Sequence, residues 1–142
     1  MNNFLTEQQM ASLVEAIKTA ESHSTGEIRI HIDSNTETDH AKKAFEVFKT
    51  LEMDKTAERN GVLFHVNFEN QYLTIIGDEG IHKKVQQSFW DVLHDKTTSE
   101  FAKGNYFEGL KNAVLEAGLE LKKYFPFSGE NYNELPDEIT FS

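Results

Sequence analysis

Cysteine is absent from this sequence of 142 residues, and long apolar runs are absent as well. Without cysteine there can be no disulfide bond, thiol nucleophile or thiolate metal ligand. No stretch approaches the roughly 20 apolar residues that a membrane-spanning helix needs, and the first residues lack the basic and apolar regions of a secretory signal. We therefore expect a cytoplasmic protein with no direct membrane insertion.

Positively charged residues are scarce relative to acidic ones. Lysine and arginine number 14 against 24 aspartates and glutamates, which gives a formal net charge of −10. This charge repels the phosphates of nucleic acids and the anionic surface of membranes, so we expect no nucleic-acid partner. The same charge attracts divalent cations and basic partners, whereas acidity that serves solubility alone is the simpler alternative.

Apolar residues make up 38% of the chain, which suffices for one α/β domain over residues 1–142. Thr6 and Gln9 form a capping box before the first helix, and Asp39 is a candidate N-cap for the second. The acidic tail, residues 128–142, carries apolar side chains that favour packing onto the domain.

The spacing of apolar residues predicts the order α-β-α-β-β-α-α-α. The predicted elements are a helix at 6–22, a strand at 28–32, a helix at 41–51, strands at 61–66 and 72–76, a helix at 81–93, a short helical turn from 97 that Gly104 closes, and a helix at 105–125.

This order predicts a mixed sheet between helices, an α/β/α sandwich. The helix between the first two strands acts as a crossover, so those strands should be parallel, and the third should form an antiparallel hairpin with the second. Apolar and polar residues alternate over residues 28–33, which is typical of a strand covered on one face. The continuous apolar run at 61–66 is typical of a strand covered on both faces.

One edge of the predicted sheet, called here the first rim, collects Glu27, Arg59, Asn60, Asp78 and Glu79. Carboxylate, amide and loop carbonyl oxygens are the ligands that Ca²⁺ and Mg²⁺ prefer, so the first rim is a candidate cation site. The structural alternative is that Asp78 or Glu79 caps the next helix and that Arg59 neutralises a neighbouring carboxylate.

The opposite edge, the second rim, carries Asp33, Asn35 and Glu37, which copy the first three ligand positions of an EF-hand loop. The resemblance to that loop ends there. Thr38 stands in place of the glycine of the sharp turn, and Ala44 stands in place of the bidentate glutamate. The second rim is therefore the weaker cation candidate, and a solvated loop with a helix cap is the alternative.

Motifs of known catalytic centres are absent from the sequence. The six histidines form no H-E-x-x-H motif and no close pair at ligand spacing, so a zinc enzyme is not predicted. No G-x-S-x-G elbow, P-loop or dinucleotide-binding glycine motif appears either.

Several short motifs, in this order, resemble the TPM-domain family. That family includes thylakoid-lumen proteins of photosystem repair and many bacterial proteins, and the first and last of the motifs are similar to its soluble bacterial branch. The motifs are Gly26-Glu27-Ile28-Arg29, the stretch from Arg59 to Leu63, the stretch from Ile75 to Ile81, the pair Phe89-Trp90, and residues 133–139.

The resemblance implies a Rossmann-like fold and binding of Ca²⁺ or another divalent cation, here at Glu27, Asn60 and Asp78. One hypothesis is an accessory module that acts through a membrane-associated partner protein. The alternative is a metal-assisted acid phosphatase acting on phosphomonoesters, in which Asp78 and Glu27 hold the ion and Arg59 stabilises phosphoryl charge. A purely structural or protein-binding domain is the third hypothesis. Many family members are secreted or anchored, which differs from the cytoplasmic location expected here.

Overall fold

The computed structural model describes residues 4–34, 39–127 and 135–142. Asn35 and Glu37 of the second rim lie outside these described residues, as do residues 128–134. Within the described ranges the elements are α1 (Glu7–Glu21), β1 (Glu27–Asp33), α2 (His40–Thr50), a 3-10 turn (Met53–Lys55), β2 (Gly61–Asn67), β3 (Tyr72–Gly77), α3 (Glu79–His82), α4 (Gln87–Ala102), α5 (Tyr106–Tyr124) and β4 (Thr140–Phe141).

The sheet has the strand order β3-β2-β1-β4. β1 and β2 are parallel, with Glu27 opposite Gly61 at one end and Asp33 opposite Asn67 at the other. β2 and β3 form an antiparallel hairpin. Both pairings confirm the predicted topology. β4, which was not predicted, runs parallel to β1; two residues are too few to produce a periodic signal.

Helices cover both faces of this mixed sheet, which confirms the α/β/α sandwich. On one face, side chains of α1, α4 and α5 pack onto Ile28, Ile30 and Ile32 of β1 and the facing residues of β2 in the main core. On the other face, α2 and the 3-10 turn enclose a smaller core around Leu63. β2 is buried along its whole length, as its apolar run predicted.

The polar face of β1 departs from the prediction. All seven residues from Glu27 to Asp33 are buried, so the expectation of a strand covered on one face only is wrong. Residues 135–142, called here the C-terminal segment, cover the other face: Leu135 contacts Glu27, and Thr140 contacts His31. A row of polar side chains is thereby buried beneath the end of the chain, which a two-residue period cannot reveal.

The helices after β3 are divided differently from the prediction. The helix expected at 81–93 is interrupted, because α3 ends at His82 and α4 begins at Gln87. Thr97 was expected to help cap a new turn, yet it lies inside α4, where its hydroxyl donates to the Leu93 carbonyl at 2.8 Å. Threonine can satisfy its hydroxyl within a helix in this way. Gly104, with φ 81°, follows the end of α4 as expected.

Two helix starts form as their sequences predict. The Thr6 hydroxyl accepts from the Gln9 amide, and the Gln9 side chain accepts from the Thr6 amide, each at 3.0 Å. Asp39 caps α2 by accepting from the Lys42 amide. Among the described residues, no helix combines the length and the apolar content needed to cross a membrane.

Candidate functional site

Asp78 and Arg59, which the prediction placed on the first rim, form a two-pronged ion pair. Arg59 Nε lies 2.7 Å from Asp78 Oδ2, and Arg59 Nη2 lies 2.9 Å from Asp78 Oδ1. Oδ1 also accepts from the Glu79 amide, so Asp78 is the N-cap of α3. Arg59 Nη1 lies 3.5 Å from Glu79 as well. This end of the first rim therefore has the contacts of the structural alternative, with helix cap and arginine both in place.

Gly80 fixes the position of this ion pair. Its amide donates to the Arg59 carbonyl at 2.9 Å, and Arg59 itself has a left-handed φ of 53°. A Cβ at position 80 would lie 2.2 Å from the Glu58 carbonyl oxygen and 2.6 Å from that of Arg59. Only glycine allows the first turn of α3 to lie this close to the Glu58-Arg59 backbone.

Asn60 is fully buried between Arg59 and β2. Its side-chain Nδ2 donates to Thr25 Oγ1 at 3.2 Å and to Glu58 Oε2 at 3.3 Å. Its Oδ1, the atom that a cation would use, lies 3.5 Å from the Thr56 hydroxyl. The Asn60 backbone carbonyl accepts from the Glu27 amide, so the two predicted ligands are joined through the main chain.

Glu27 lies at the start of β1, where it meets two carboxyl groups that the prediction did not include. Glu27 Oε1 accepts from the Leu135 amide at 2.7 Å. Glu21, at the end of α1, accepts from the Ile28 amide at 2.7 Å and is hydrogen-bonded to Asp137 of the C-terminal segment. We call Glu21, Glu27 and Asp137 the carboxylate cluster.

Electrostatics in the carboxylate cluster are unfavourable for three negative charges. Burial, reinforced by the hydrogen bond that protonated Glu21 donates to Asp137 and by the charges of Glu27 and Asp137, raises the pKa of Glu21 to about 10. Arg29, two residues along β1, is the nearby positive charge. Burial lowers its pKa, against the opposing charges of Glu138 and Asp137. Glu21 is therefore neutral at pH 7 unless another positive charge enters the cluster.

Glu21 could have been found from the helical period. It follows Leu13 and Ile17 at spacings of four residues, so it falls on the apolar stripe of α1 and must be buried with them. Asp137 had no such signal, because its position depends on how the C-terminal segment crosses the sheet.

At the opposite end of β1, Asp33 meets two histidines. The register of β1 and β2 places His31 beside His65, with ring centroids 5.5 Å apart. His65 Nε2 lies 3.2 Å from Asp33 Oδ2. One ligand atom from each of these three buried residues lies within 4.8 Å of the others. Sequence spacing did not reveal this pair of histidines, because they lie on different strands.

Comparison with known proteins places the fold and the family. The chain is similar to the BA42 protein of the psychrophilic bacterium Bizionia argentinensis, with a TM-score of 0.93 and 37% identity over 100% of this chain and 98% of that one. It also shares its fold with the N-terminal domain of a P. gingivalis protein, with a TM-score of 0.70 and 18% identity over 87% of this chain and 80% of that one. A search of curated proteins found no match. The sequence profile of the TPM domain matches residues 1–119, so the chain belongs to the TPM domain family.

Proposed function

We propose that this domain binds a hard divalent cation, Ca²⁺ in preference to Mg²⁺, at the carboxylate cluster, with Glu27 as the central ligand. The observation that carries the proposal is the burial of Glu21 beside two other carboxyl groups. Ca²⁺ takes six to eight oxygen ligands in irregular arrangements, whereas Mg²⁺ demands a near-ideal octahedron. Carboxylates from a helix end, a strand start and the C-terminal segment suit the more tolerant ion.

A cation would relieve the electrostatic conflict in the carboxylate cluster. Glu21 avoids the repulsion only by keeping a proton. A bound cation would take the place of that proton and neutralise the carboxylates instead. The ligand atoms of the carboxylate cluster do not all lie within 4.8 Å of one another; among the described residues, only those of His31, Asp33 and His65 do. Cation binding is therefore expected to draw the carboxylates together and to fix the C-terminal segment against α1 and β1.

The first-rim ligands Asp78 and Glu79 are less suited to this role than Glu27. Arg59 already neutralises both, and binding a cation there would require the ion pair at 2.7 Å to open. Glu27 Oε1 accepts a hydrogen bond from the Leu135 backbone amide, which is a neutral donor. The proposal thus keeps Glu27 from the predicted set and adds Glu21 and Asp137.

The test is a titration with Ca²⁺ followed by ¹H–¹⁵N NMR on the wild type and three variants. Glu27→Gln is expected to weaken binding strongly, because it removes a charged ligand. Asp78→Asn is expected to leave binding within a few-fold of wild type. Glu108→Gln, at an exposed position on α5, is the matched control. If Asp78→Asn abolishes binding and Glu27→Gln does not, the site lies at the Asp78–Glu79 end of the first rim instead. If no variant binds differently, the cation is held elsewhere.

The biological role we propose is that of an accessory module that acts through a membrane-associated protein, as the family resemblance implies. The phosphatase alternative requires Arg59 to leave Asp78 and Glu79 and stabilise a phosphoryl group. Hydrolysis of p-nitrophenyl phosphate with Ca²⁺ or Mg²⁺ separates the two roles. The accessory role predicts no turnover, whereas turnover that Arg59→Lys removes would support the phosphatase.

A further inference from the structure

The end of β1 carries a second set of metal-binding side chains, separate from the carboxylate cluster. His31 and Asp33 point from the same face of β1, and His65 lies on β2 directly beside His31. The three residues are 5%, 0% and 1% exposed. The two imidazole rings are stacked at an interplanar angle of 14°, and the ligand atoms of all three residues lie within 4.8 Å of one another.

We propose that His31, Asp33 and His65 form a site for Zn²⁺ or a similar transition metal, closed by β4. Two imidazoles and one carboxylate are the ligands that zinc and its neighbours prefer, whereas Ca²⁺ and Mg²⁺ select oxygen ligands alone. His65 Nε2 and Asp33 Oδ2 are 3.2 Å apart. That is close to the roughly 3.3 Å separating two ligand atoms that each lie about 2.0 Å from a tetrahedral zinc ion.

Hydrogen bonds alone do not account for the burial of His65. Its Nε2 contacts Asp33, but its Nδ1 is buried without a hydrogen-bond partner among the residues that the structure describes. Buried polar atoms are normally satisfied, so this nitrogen is an exception that hydrogen bonds do not explain. A metal bound at Nε2 would leave Nδ1 as the ring N–H, so the positions of the three ligand atoms, and not this nitrogen, support the site.

The C-terminal segment closes this site from above. His31 Nδ1 lies 2.6 Å from the Thr140 hydroxyl, and His31 Nε2 lies 2.7 Å from the Ser142 hydroxyl. A metal bound to His31 would take the place of one of these hydroxyls at the ring nitrogen, and the hydroxyl oxygen could then serve as a fourth ligand. The Ser142 amide donates to Ile32, and its carbonyl accepts from the Ser34 amide. Metal entry therefore requires the two-residue β4 to detach and return.

The test uses chelator-treated protein of the full sequence with Zn²⁺ as the probe. Long-range ¹H–¹⁵N spectra of the histidine rings are expected to show large shifts for His31 and His65 on addition of stoichiometric Zn²⁺, with exposed His23 unchanged. Co²⁺ should give the visible absorption of a four-coordinate site, which Zn²⁺ removes. Ca²⁺ should leave both rings unshifted, which distinguishes this site from the carboxylate cluster.

Variants locate the metal independently. His65→Gln is expected to weaken Zn²⁺ binding at least ~10-fold, and His23→Gln to leave it unchanged. Unshifted rings at stoichiometric Zn²⁺ would overturn the proposal, and so would Zn²⁺ binding that Glu27→Gln removes and His65→Gln preserves. If His65→Gln does not fold, the ring spectra of the wild type decide the question alone.

Discussion

The Leu135 amide donates a hydrogen bond of 2.7 Å to Oε1 of Glu27. This contact links the start of β1 to the C-terminal segment, which then passes Asp137 beside Glu21 and ends in β4. One short segment therefore covers both candidate metal sites. Because this segment contacts residues of both sites, cation binding at either one should depend on the position of the same eight residues, 135–142.

The buried carboxyl of Glu21 should make stability depend on pH. Its pKa is about 10 in the folded protein against 4.5 ordinarily, so the folded state keeps a proton that the unfolded chain has lost. Stability is then full below pH 4.5 and falls as pH rises toward 10. Between pH 6 and pH 8, with EDTA present, this linkage costs on the order of 3 kcal/mol.

Urea unfolding of the wild type and Glu21→Gln at both pH values measures this effect. Glutamine stays neutral, so the variant should lose less stability than the wild type between pH 6 and pH 8. Glu108→Gln should keep the wild-type dependence. Parallel losses in the wild type and Glu21→Gln would show that Glu21 does not carry the proton.

The ion pair between Arg59 and Asp78 should stabilise the fold. Asp78 is 6% exposed and is held by two hydrogen bonds from Arg59, whose side chain is 39% exposed. Arg59→Lys removes the two-pronged geometry, so it should lower the free energy of unfolding measurably despite solvent screening. Glu116→Gln, in the exposed pair with Lys96, should change stability by less than about 0.5 kcal/mol in the same urea experiment. Equal effects would mean that the buried pair contributes no more than a surface one.

Gly80 should tolerate alanine poorly. An added Cβ would overlap the backbone oxygens of Glu58 and Arg59, which lie just before β2. Gly80→Ala should lower stability by about 2–3 kcal/mol. A Cβ at position 104 would have open space around it, and only the positive φ disfavours alanine there. Gly104→Ala should therefore lower stability by about 1 kcal/mol. Thermal unfolding of both variants checks the order, and a larger loss at position 104 would contradict it.

Removing β4 should expose His31. Without residues 140–142, the hydroxyls of Thr140 and Ser142 and the cover they provide are lost. The pKa of His31, about 4 under this cover, should then rise toward its ordinary value of 6.5. An NMR titration of the His31 ring measures the shift. His94, which contacts the Leu73 carbonyl away from β4, is the internal control. A His31 pKa that stays near 4 would show that β4 is not what desolvates the ring.

Much of this fold follows from local sequence signals, and the unpredicted parts share one cause. The parallel pairing of β1 with β2 and the capping of α1 follow from element order and the Thr6–Gln9 pattern. The course of the C-terminal segment follows from neither, because it depends on contacts with residues more than 100 positions away, such as that of Leu135 with Glu27. Burial of the polar face of β1 could not be predicted for the same reason.

The residues of the candidate sites differ in the same way: some have local sequence signals, and others are brought together only by long-range contacts. Glu27 was identifiable from its place at a strand start, and Glu21 from its position on the apolar stripe of α1. The meeting of His31 with His65 depends on the exact register of two strands, and that of Asp137 with Glu21 depends on the C-terminal segment. Contacts between distant parts of the chain build both clusters.

Proton release on Ca²⁺ binding tests the central claim most directly. Titration calorimetry at pH 7 in two buffers of different ionisation enthalpy gives the number of protons released per bound ion. If Ca²⁺ binds at the carboxylate cluster, it displaces the proton of Glu21, so about one proton should leave per ion. Glu21→Gln should abolish that release. Binding of Ca²⁺ with no proton release, and with unchanged affinity in Glu27→Gln, would contradict the account.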